Sequence, residues 1–257
     1  MKITKFFSVI IPTFNNADTI KRAINSVLNQ DFDDYELIVV DDASTDGTTQ
    51  IVGSGSGYRR VLLGKKLYSG GCRNHAVQNM AGGEYLLFLD ADDYFVDSHV
   101  FTEIYNTIQD YHLPDMVRLP YTRLEPNGVR SSRKEKVLAE QTLDDIAEST
   151  KVACWTKCVK RSLFAPFPEN TLMEDVCQHL AQCDKCSTVA WTPNECVEWV
   201  IRANSTSNSY SPKWRSSMYR YIADLMDLQL TKPSCINRRN WKLARAMEDA
   251  RNGKAIQ

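Results

Sequence analysis

Three features of the sequence predict an α/β fold with a mostly parallel central sheet flanked by helices. Apolar, β-branched runs alternate with amphipathic helical stretches through residues 1–120. The runs are continuous, as in strands buried on both faces. Polar and acidic segments follow them directly, where an open parallel sheet carries its ligands. At 257 residues the chain is one large domain, or one domain with a small appendage.

Phe7–Ile11 reads as the first buried strand. Ile20, Ala23, Ile24, Val27 and Leu28 then share one helical face, with Asn16 and Asp18 as N-cap candidates. Glu36–Val40 (ELIVV) is a second strand, Ser44 a candidate cap for the next helix, and 53–57 (GSGSG) a flexible loop. Arg59–Leu63 is a candidate third strand, 72–81 a helix ended by Gly82-Gly83, and Tyr85–Leu89 (YLLFL) a central strand. A helix over 98–110 and a strand at Met116–Pro120 complete this half, joined by right-handed crossovers. Residues 122–136 read as an exposed polar, basic loop, Thr171–Cys186 as a helix, Met218, Tyr221, Ile222 and Leu225 as a packed helical stripe, and 238–251 as a last helix.

Composition limits the function classes. Apolar residues make up 43% and charged residues 25%, and 31 basic against 32 acidic residues leave a formal charge of -1, which gives no basis for a nucleic-acid partner. Residues 211–257 hold ten Lys/Arg and four Asp/Glu, either a solvated helical face or a tail that touches an anionic membrane or a partner. The run before Pro12 is too short for a signal peptide, and no segment approaches the roughly 18 apolar residues of a bilayer span, so a cytoplasmic protein is expected, with peripheral contact at the inner face of the membrane left open. Eight cysteines without a secretion signal are expected as free thiols; Cys183-Asp-Lys-Cys186 lacks the second tight pair that zinc needs. His75, His99, His112 and His179 have no paired spacing and receive no role.

The chemistry sits after the strands. Pro12-Thr-Phe-Asn-Asn16 follows the first, Asp41-Asp-Ala-Ser-Thr-Asp46 the second and Asp90-Ala-Asp-Asp93 the YLLFL run. Carboxylates gathered along one edge repel unless a cation offsets them. Oxygen ligands suit Mg²⁺ or Mn²⁺ shared with substrate phosphates. Asp46 is accounted for by capping; Asp90 and Asp92 together point to metal. No G-x-G-x-x-G follows the first strand and no G-x-x-x-x-G-K-[ST] occurs, so a dinucleotide fold and a P-loop ATPase are set aside.

Val9-Ile-Ile-Pro-Thr-Phe-Asn15, Val39-Val-Asp-Asp-Ala-Ser-Thr-Asp-Gly47 and Phe88-Leu-Asp-Ala-Asp-Asp93, together with Gly71-Cys-Arg-Asn74, Met173-Glu-Asp175 and Arg202-Ala-Asn-Ser-Thr206, resemble the family 2 glycosyltransferases in order and spacing. The resemblance runs from about residue 6 to about residue 206. It implies a GT-A nucleotide-diphospho-sugar transferase domain over 1–206; residues 207–257 carry no signal of that family and are expected, from their helical spacing, as a helical C-terminal extension that packs on it, docks on lipid or forms a homodimer. The donor it implies is a nucleotide-sugar, usually a UDP-sugar, and the acceptor a saccharide or a lipid-linked one. Pro12, Thr13, Phe14 and Asp42 would hold the nucleoside, Asp90 the ribose or a metal-bound water, and Asp92 the Mn²⁺ or Mg²⁺. Asp175, with Glu174 as neighbour, would be the catalytic base of an inverting reaction. Arg73 and Arg202 are candidates for the phosphates. Each has a structural alternative: ion pairs for the two arginines, a helix N-terminal acid for Asp175, a core position for Phe14. Trp155 and Lys157 are acceptor-pocket candidates on the same footing. A sugar-phosphate nucleotidyltransferase would need a G-G-x-G-x-R loop after the first strand, and a non-catalytic scaffold would show a broken D-x-D or no base; the sequence shows neither feature.

Overall fold

The computed structural model describes residues 5–133, 147, 152–169, 174–202 and 221–251. Met173, 203–206 and Met218, and with them the expected boundary at 206/207, lie outside the described residues.

The main sheet has seven strands in the order β10-β6-β9-β4-β1-β2-β3. They are β1 (Lys5–Thr13), β2 (Tyr35–Asp41), β3 (Arg59–Leu62), β4 (Gly83–Phe88), β6 (Met116–Arg118), β9 (Lys157–Lys160) and β10 (Val189–Trp191). All neighbours are parallel except β9, which runs antiparallel to both β4 and β6. The expectation of a mostly parallel sheet therefore holds. β1 lies between β2 and β4. The chain leaves β1 toward β2 and leaves β4 toward β6, on opposite sides, so the topological switch point lies at the carboxyl ends of β1 and β4. β1 also explains how Pro12 sits in a central strand. Its pairing with β4 stops at Ile10↔Phe88, so no ladder bond from that side needs the missing N–H.

Helices α1 (Ile20–Leu28), α2 (Thr48–Ser54), α3 (Tyr68–Asn79) and α4 (Val100–Asp110) follow β1, β2, β3 and β5, and α5 (Glu174–Lys185) precedes β10. The apolar face of α1 is buried as its spacing predicts, with Ile20, Ala23, Ile24 and Val27 inward. Its N-terminus differs: neither Asn16 nor Asp18 caps by side chain, and the Asn16 carbonyl takes the Thr19 and Ile20 amides instead. Ser44 does not cap α2; Asp46 does, accepting from the Thr48 amide at 3.0 Å, while Ser44 turns to Asp41. The first two residues of the expected glycine loop at 53–57 belong to the last turn of α2. α3 starts four residues earlier than expected and ends at Asn79, and Gly83 belongs to β4.

The larger correction concerns 122–136. Residues 121–133 form a hairpin of β7 (Tyr121–Leu124) and β8 (Arg130–Arg133). With β5 (Tyr94–Phe95) and β11 (Val197–Val200) it makes a second sheet in the order β5-β11-β7-β8. Asn127 and Gly128 turn the hairpin; Gly128 has φ +80° and its amide donates to the Glu125 carbonyl at 2.9 Å. This sheet carries the segment after β11 back to the carboxyl ends of β1 and β4.

Residues 221–227 are helical, and α6 (Pro233–Arg251) closes the described chain. Tyr221, Leu225 and Ala246 pack with Val176, Cys177 and Leu180 of α5 in a satellite cluster, and Cys235 reaches the main core. The described part of the extension thus braces the helix that carries Glu174 and Asp175. All eight cysteines are buried and unpaired. No helix among the described residues is long and apolar enough to cross a membrane.

Candidate active site

The ends of β1 and β2 are tied into one surface. Pro12 and Thr13 are buried within β1, opposite Val40 and Asp41. Asn15, in the left-handed region at φ 54°, accepts the Thr45 amide at 2.8 Å, and its own amide donates to Ser44 Oγ at 2.9 Å. Asp41 is buried and accepts the Ser44 and Thr49 hydroxyls, each at 2.5 Å. Asp42 accepts the Leu67 and Tyr68 amides at 2.5 and 2.9 Å, so its carboxylate fixes the start of α3 from across the crevice. Phe14 is not in the core. It is 39% exposed, with Lys66 Nζ 3.0 Å from its ring centroid, an open aromatic face under a cation.

The second half of the site follows β4. Asp90, Asp92 and Asp93 each offer an oxygen, all within 4.8 Å of one another. Asp93 is buried and accepts the Val200 amide at 2.9 Å, which fastens the loop to β11. Burial and the neighbouring Asp90 push both Asp92 and Asp93 above the usual carboxylate range. Arg202 opposes this at Asp92, donating from Nη2 at 2.7 Å and Nε at 3.1 Å. The donor set is hard oxygen throughout, as Mn²⁺ and Mg²⁺ require, and the like charges give a cation something to offset. On donor chemistry and spacing, the residues fit a divalent ion.

The third part lies beneath. Arg73 is buried on α3, and its guanidinium reaches Asp90 at 2.6 Å, Glu174 at 3.1 Å and Asp175 at 3.9 Å. One cation therefore joins the carboxylate after β4 to the acid pair that opens α5. Close approach makes this feasible: a Cβ on Gly70, one turn earlier, would meet the Pro168 carbonyl at 2.9 Å and Glu174 Cγ at 3.2 Å. Asp175 remains 30% exposed, while its Oδ1 is buried, 3.9 Å from Arg73 Nη1, with the Cys154 thiol beside the carboxylate. Burial, then the neighbouring Asp175, push Glu174 up to about 7 against the pull of Arg73. Burial likewise raises Asp175, again opposed by Arg73.

Lys157 and Trp155, considered for an acceptor pocket, are buried instead. Trp155 packs edge-on against Tyr121 at 5.0 Å. Lys157 donates to the Val152 carbonyl at 3.0 Å and lies 3.3 Å from His179 Nδ1; burial, then Arg118, pull its ammonium down to about 8.

Phe14, Asp42, Asp90, Asp92, Arg73, Asp175 and Arg202 thus lie at or are linked by these contacts to the carboxyl ends of β1, β2 and β4, with Pro12 and Thr13 buried at the end of β1. Arg73 contacts carboxylates and is held below the surface. Sequence reasoning missed Lys66 over Phe14, Asp93 as an anchor, Asn16 as a partner of Arg202, and Arg22, whose Nη2 donates to the Asp92 carbonyl at 2.6 Å. Arg22 sits on the polar side of an amphipathic helix, where periodicity gives no signal.

Comparison with known proteins agrees with this geometry. Residues 8–164 match the family described as Glycosyl transferase family 2. The poly(ribitol-phosphate) beta-N-acetylglucosaminyltransferase TarS of Staphylococcus aureus is 36% identical over 146 residues, 53% of this chain and 24% of that protein. The chain therefore spans about a quarter of the length of that relative. A putative teichuronic acid biosynthesis glycosyltransferase, TuaG of Bacillus subtilis, is 27% identical over 239 residues, 87% of this chain and 91% of TuaG. Among solved structures, TarS 1–349 in complex with UDP-GlcNAc superposes with a TM-score of 0.75 at 24% identity, covering 94% of this chain and 72% of that one. A mannosyltransferase from Pyrobaculum calidifontis in complex with GDP-Man and Mn2+ gives 0.63 at 19% identity, covering 98% and 76%. The fold is that of the GT-A glycosyltransferases. With the family matched over residues 8–164, the chain belongs to glycosyl transferase family 2.

Proposed function

We propose that this chain transfers a sugar from a nucleoside-diphosphate sugar, a UDP-sugar, to an acceptor hydroxyl with inversion at the anomeric carbon. The observation that carries this reading is the Asp90–Arg73–Glu174/Asp175 linkage, which joins the carboxylate after β4 to the acid pair that opens α5. Phe14 stacks the base and Asp42 borders the nucleoside. Asp92, with Asp90, holds Mn²⁺ or Mg²⁺, which when bound supplies Lewis-acid stabilisation of the leaving diphosphate. Asp175 takes the acceptor hydroxyl's proton as the new glycosidic bond forms, an effect worth roughly 10²–10⁴ in rate. The bond to the diphosphate breaks on the opposite face, and Arg202 is placed to meet the charge released there.

The names of TarS and TuaG support an acceptor in cell-surface polysaccharide synthesis, a saccharide or a lipid-linked one. The Mn2+ that accompanies GDP-Man in the Pyrobaculum mannosyltransferase complex supports the metal. We assign the reaction to the cytoplasm at the inner face of the membrane. The surplus of Lys/Arg in the 211–257 sequence supports contact with anionic lipid there, with homodimer formation the competing use of that segment.

A thermal-shift panel tests the donor class: UDP, GDP, CMP, dTDP and ADP, each with Mn²⁺ or EDTA. UDP at about 100 times its Kd stabilises by about 2.7 kcal/mol, roughly 5–10 °C for a chain of this size. The expected result is a UDP shift that EDTA abolishes. A shift unaffected by EDTA removes the metal from the reading, and no shift for any nucleotide removes the donor.

A further inference from the structure

Arg202 lies just past β11 and occupies the position that a divalent cation would contest. Nη2 and Nε both donate to Asp92 Oδ2, at 2.7 and 3.1 Å. Nη2 also donates to Asn16 Oδ1 at 3.0 Å, and Nη1 lies 3.7 Å from Asp18. The guanidinium thus bridges the acidic loop after β4 to the segment after β1. It does so at the same oxygen cluster, Asp90, Asp92 and Asp93, whose like charges need a counter-ion. A divalent ion bound through Asp92 Oδ2 and a guanidinium donating twice to that atom repel each other at close range.

We propose that Arg202 is an exchangeable counter-cation: it neutralises Asp92 in the donor-free protein, yields that carboxylate to the divalent ion, and moves to the donor diphosphate. This rests on the metal-and-diphosphate reading given above. It makes a thermodynamic statement beyond that reading. Metal arriving alone must displace Arg202 from Asp92 and brings no anion in exchange for the bonds lost there. Metal arriving with a diphosphate gives the guanidinium an anion of its own. Metal and nucleotide therefore bind with positive coupling, and Arg202 is the residue through which the coupling passes.

The experiment measures free Mn²⁺ by electron paramagnetic resonance during titration of the full chain, with and without UDP, for the native protein, Arg202→Gln and Arg202→Lys. Circular dichroism establishes that each variant is folded. For Arg202→Gln, Mn²⁺ binding without nucleotide tightens by about tenfold and UDP binding at saturating Mn²⁺ weakens by a similar factor, within the usual 5–150-fold range of coupling. Arg202→Lys, which keeps the charge, stays nearer the native values in both arms. If Arg202→Gln leaves nucleotide-free Mn²⁺ binding unchanged or weaker while the native protein binds Mn²⁺, the exchange is refuted and the metal site stands. Native protein that binds no Mn²⁺ with or without UDP refutes both. An Arg202→Gln chain that does not fold is replaced by Asn16→Ala. This removes one anchor of the guanidinium and shifts nucleotide-free Mn²⁺ affinity upward, less than Arg202→Gln; no rise there also refutes the exchange.

Discussion

Replacing Arg73 by Met removes one charge and keeps most of the side-chain volume. The guanidinium is 3% exposed and serves Asp90, Glu174 and Asp175, which are 33%, 12% and 30% exposed. Stranding the partners of a buried ion pair costs about 3–5 kcal/mol. Partial exposure of the three carboxylates allows water to screen them, so the lower end, about 3 kcal/mol, is expected. For a chain of this size that lowers Tm by roughly 6–12 °C. The deficit depends on pH. Burial already raises Glu174 to about 7, above its ordinary 4.5, so the folded state binds its proton more tightly than the unfolded state. Stability from this group is therefore lost as pH rises from about 4.5 through 7. Arg73 pulls both Glu174 and Asp175 down, and its removal raises them further and extends the loss to higher pH. Thermal and urea unfolding at pH 6 and pH 8 should show the larger deficit at pH 8. A variant with native stability at both values would show that the three carboxylates do not depend on this one cation.

Asp92→Asn should weaken Mn²⁺-dependent UDP binding by calorimetry. Residues behind metal ligands are worth about 10–100-fold, so loss of a ligand should cost at least about tenfold; unchanged binding would take Asp92 out of the metal site. Phe14→Ala should weaken UDP by about 1–3 kcal/mol, the usual worth of a base on an aromatic face, without moving Tm, because the ring is exposed; a fall in Tm with intact affinity would return Phe14 to a packing role. In the pH profile of kcat/KM, activity should fall as pH drops through an apparent pKa above the ordinary carboxylate range, because burial raises both members of the acid pair and the base works deprotonated. A profile flat down to pH 5 would exclude the pair.

The part of the site legible in the sequence is the part built from contiguous signals. β1, β2 and β4 are apolar runs that stop at Thr13, Asp41 and Asp90, so both the sheet and its functional edge could be read together. What was hidden comes from contacts between distant residues. Arg73 and Glu174 are 101 positions apart, and no local pattern says that one guanidinium will serve two motifs. Asp92 meets Arg202 across 110 positions. The β7–β8 hairpin was obscured because its arginines resemble loop composition. Its Pro126-Asn127-Gly128 turn was the usable signal. Lys157 reads as an acceptor-pocket candidate, but β9 lies between β4 and β6 and holds it inside.

The division of labour between the two halves of the crevice is tested most directly with Asp175→Asn, by measuring donor affinity and turnover on the same preparation. The expected result is Mn²⁺-dependent UDP-sugar affinity within about twofold of native and turnover reduced by roughly 10²–10⁴, the range for loss of a general base. Turnover retained with Asn at this position would contradict the assignment and move proton abstraction to Glu174 or away from the acid pair.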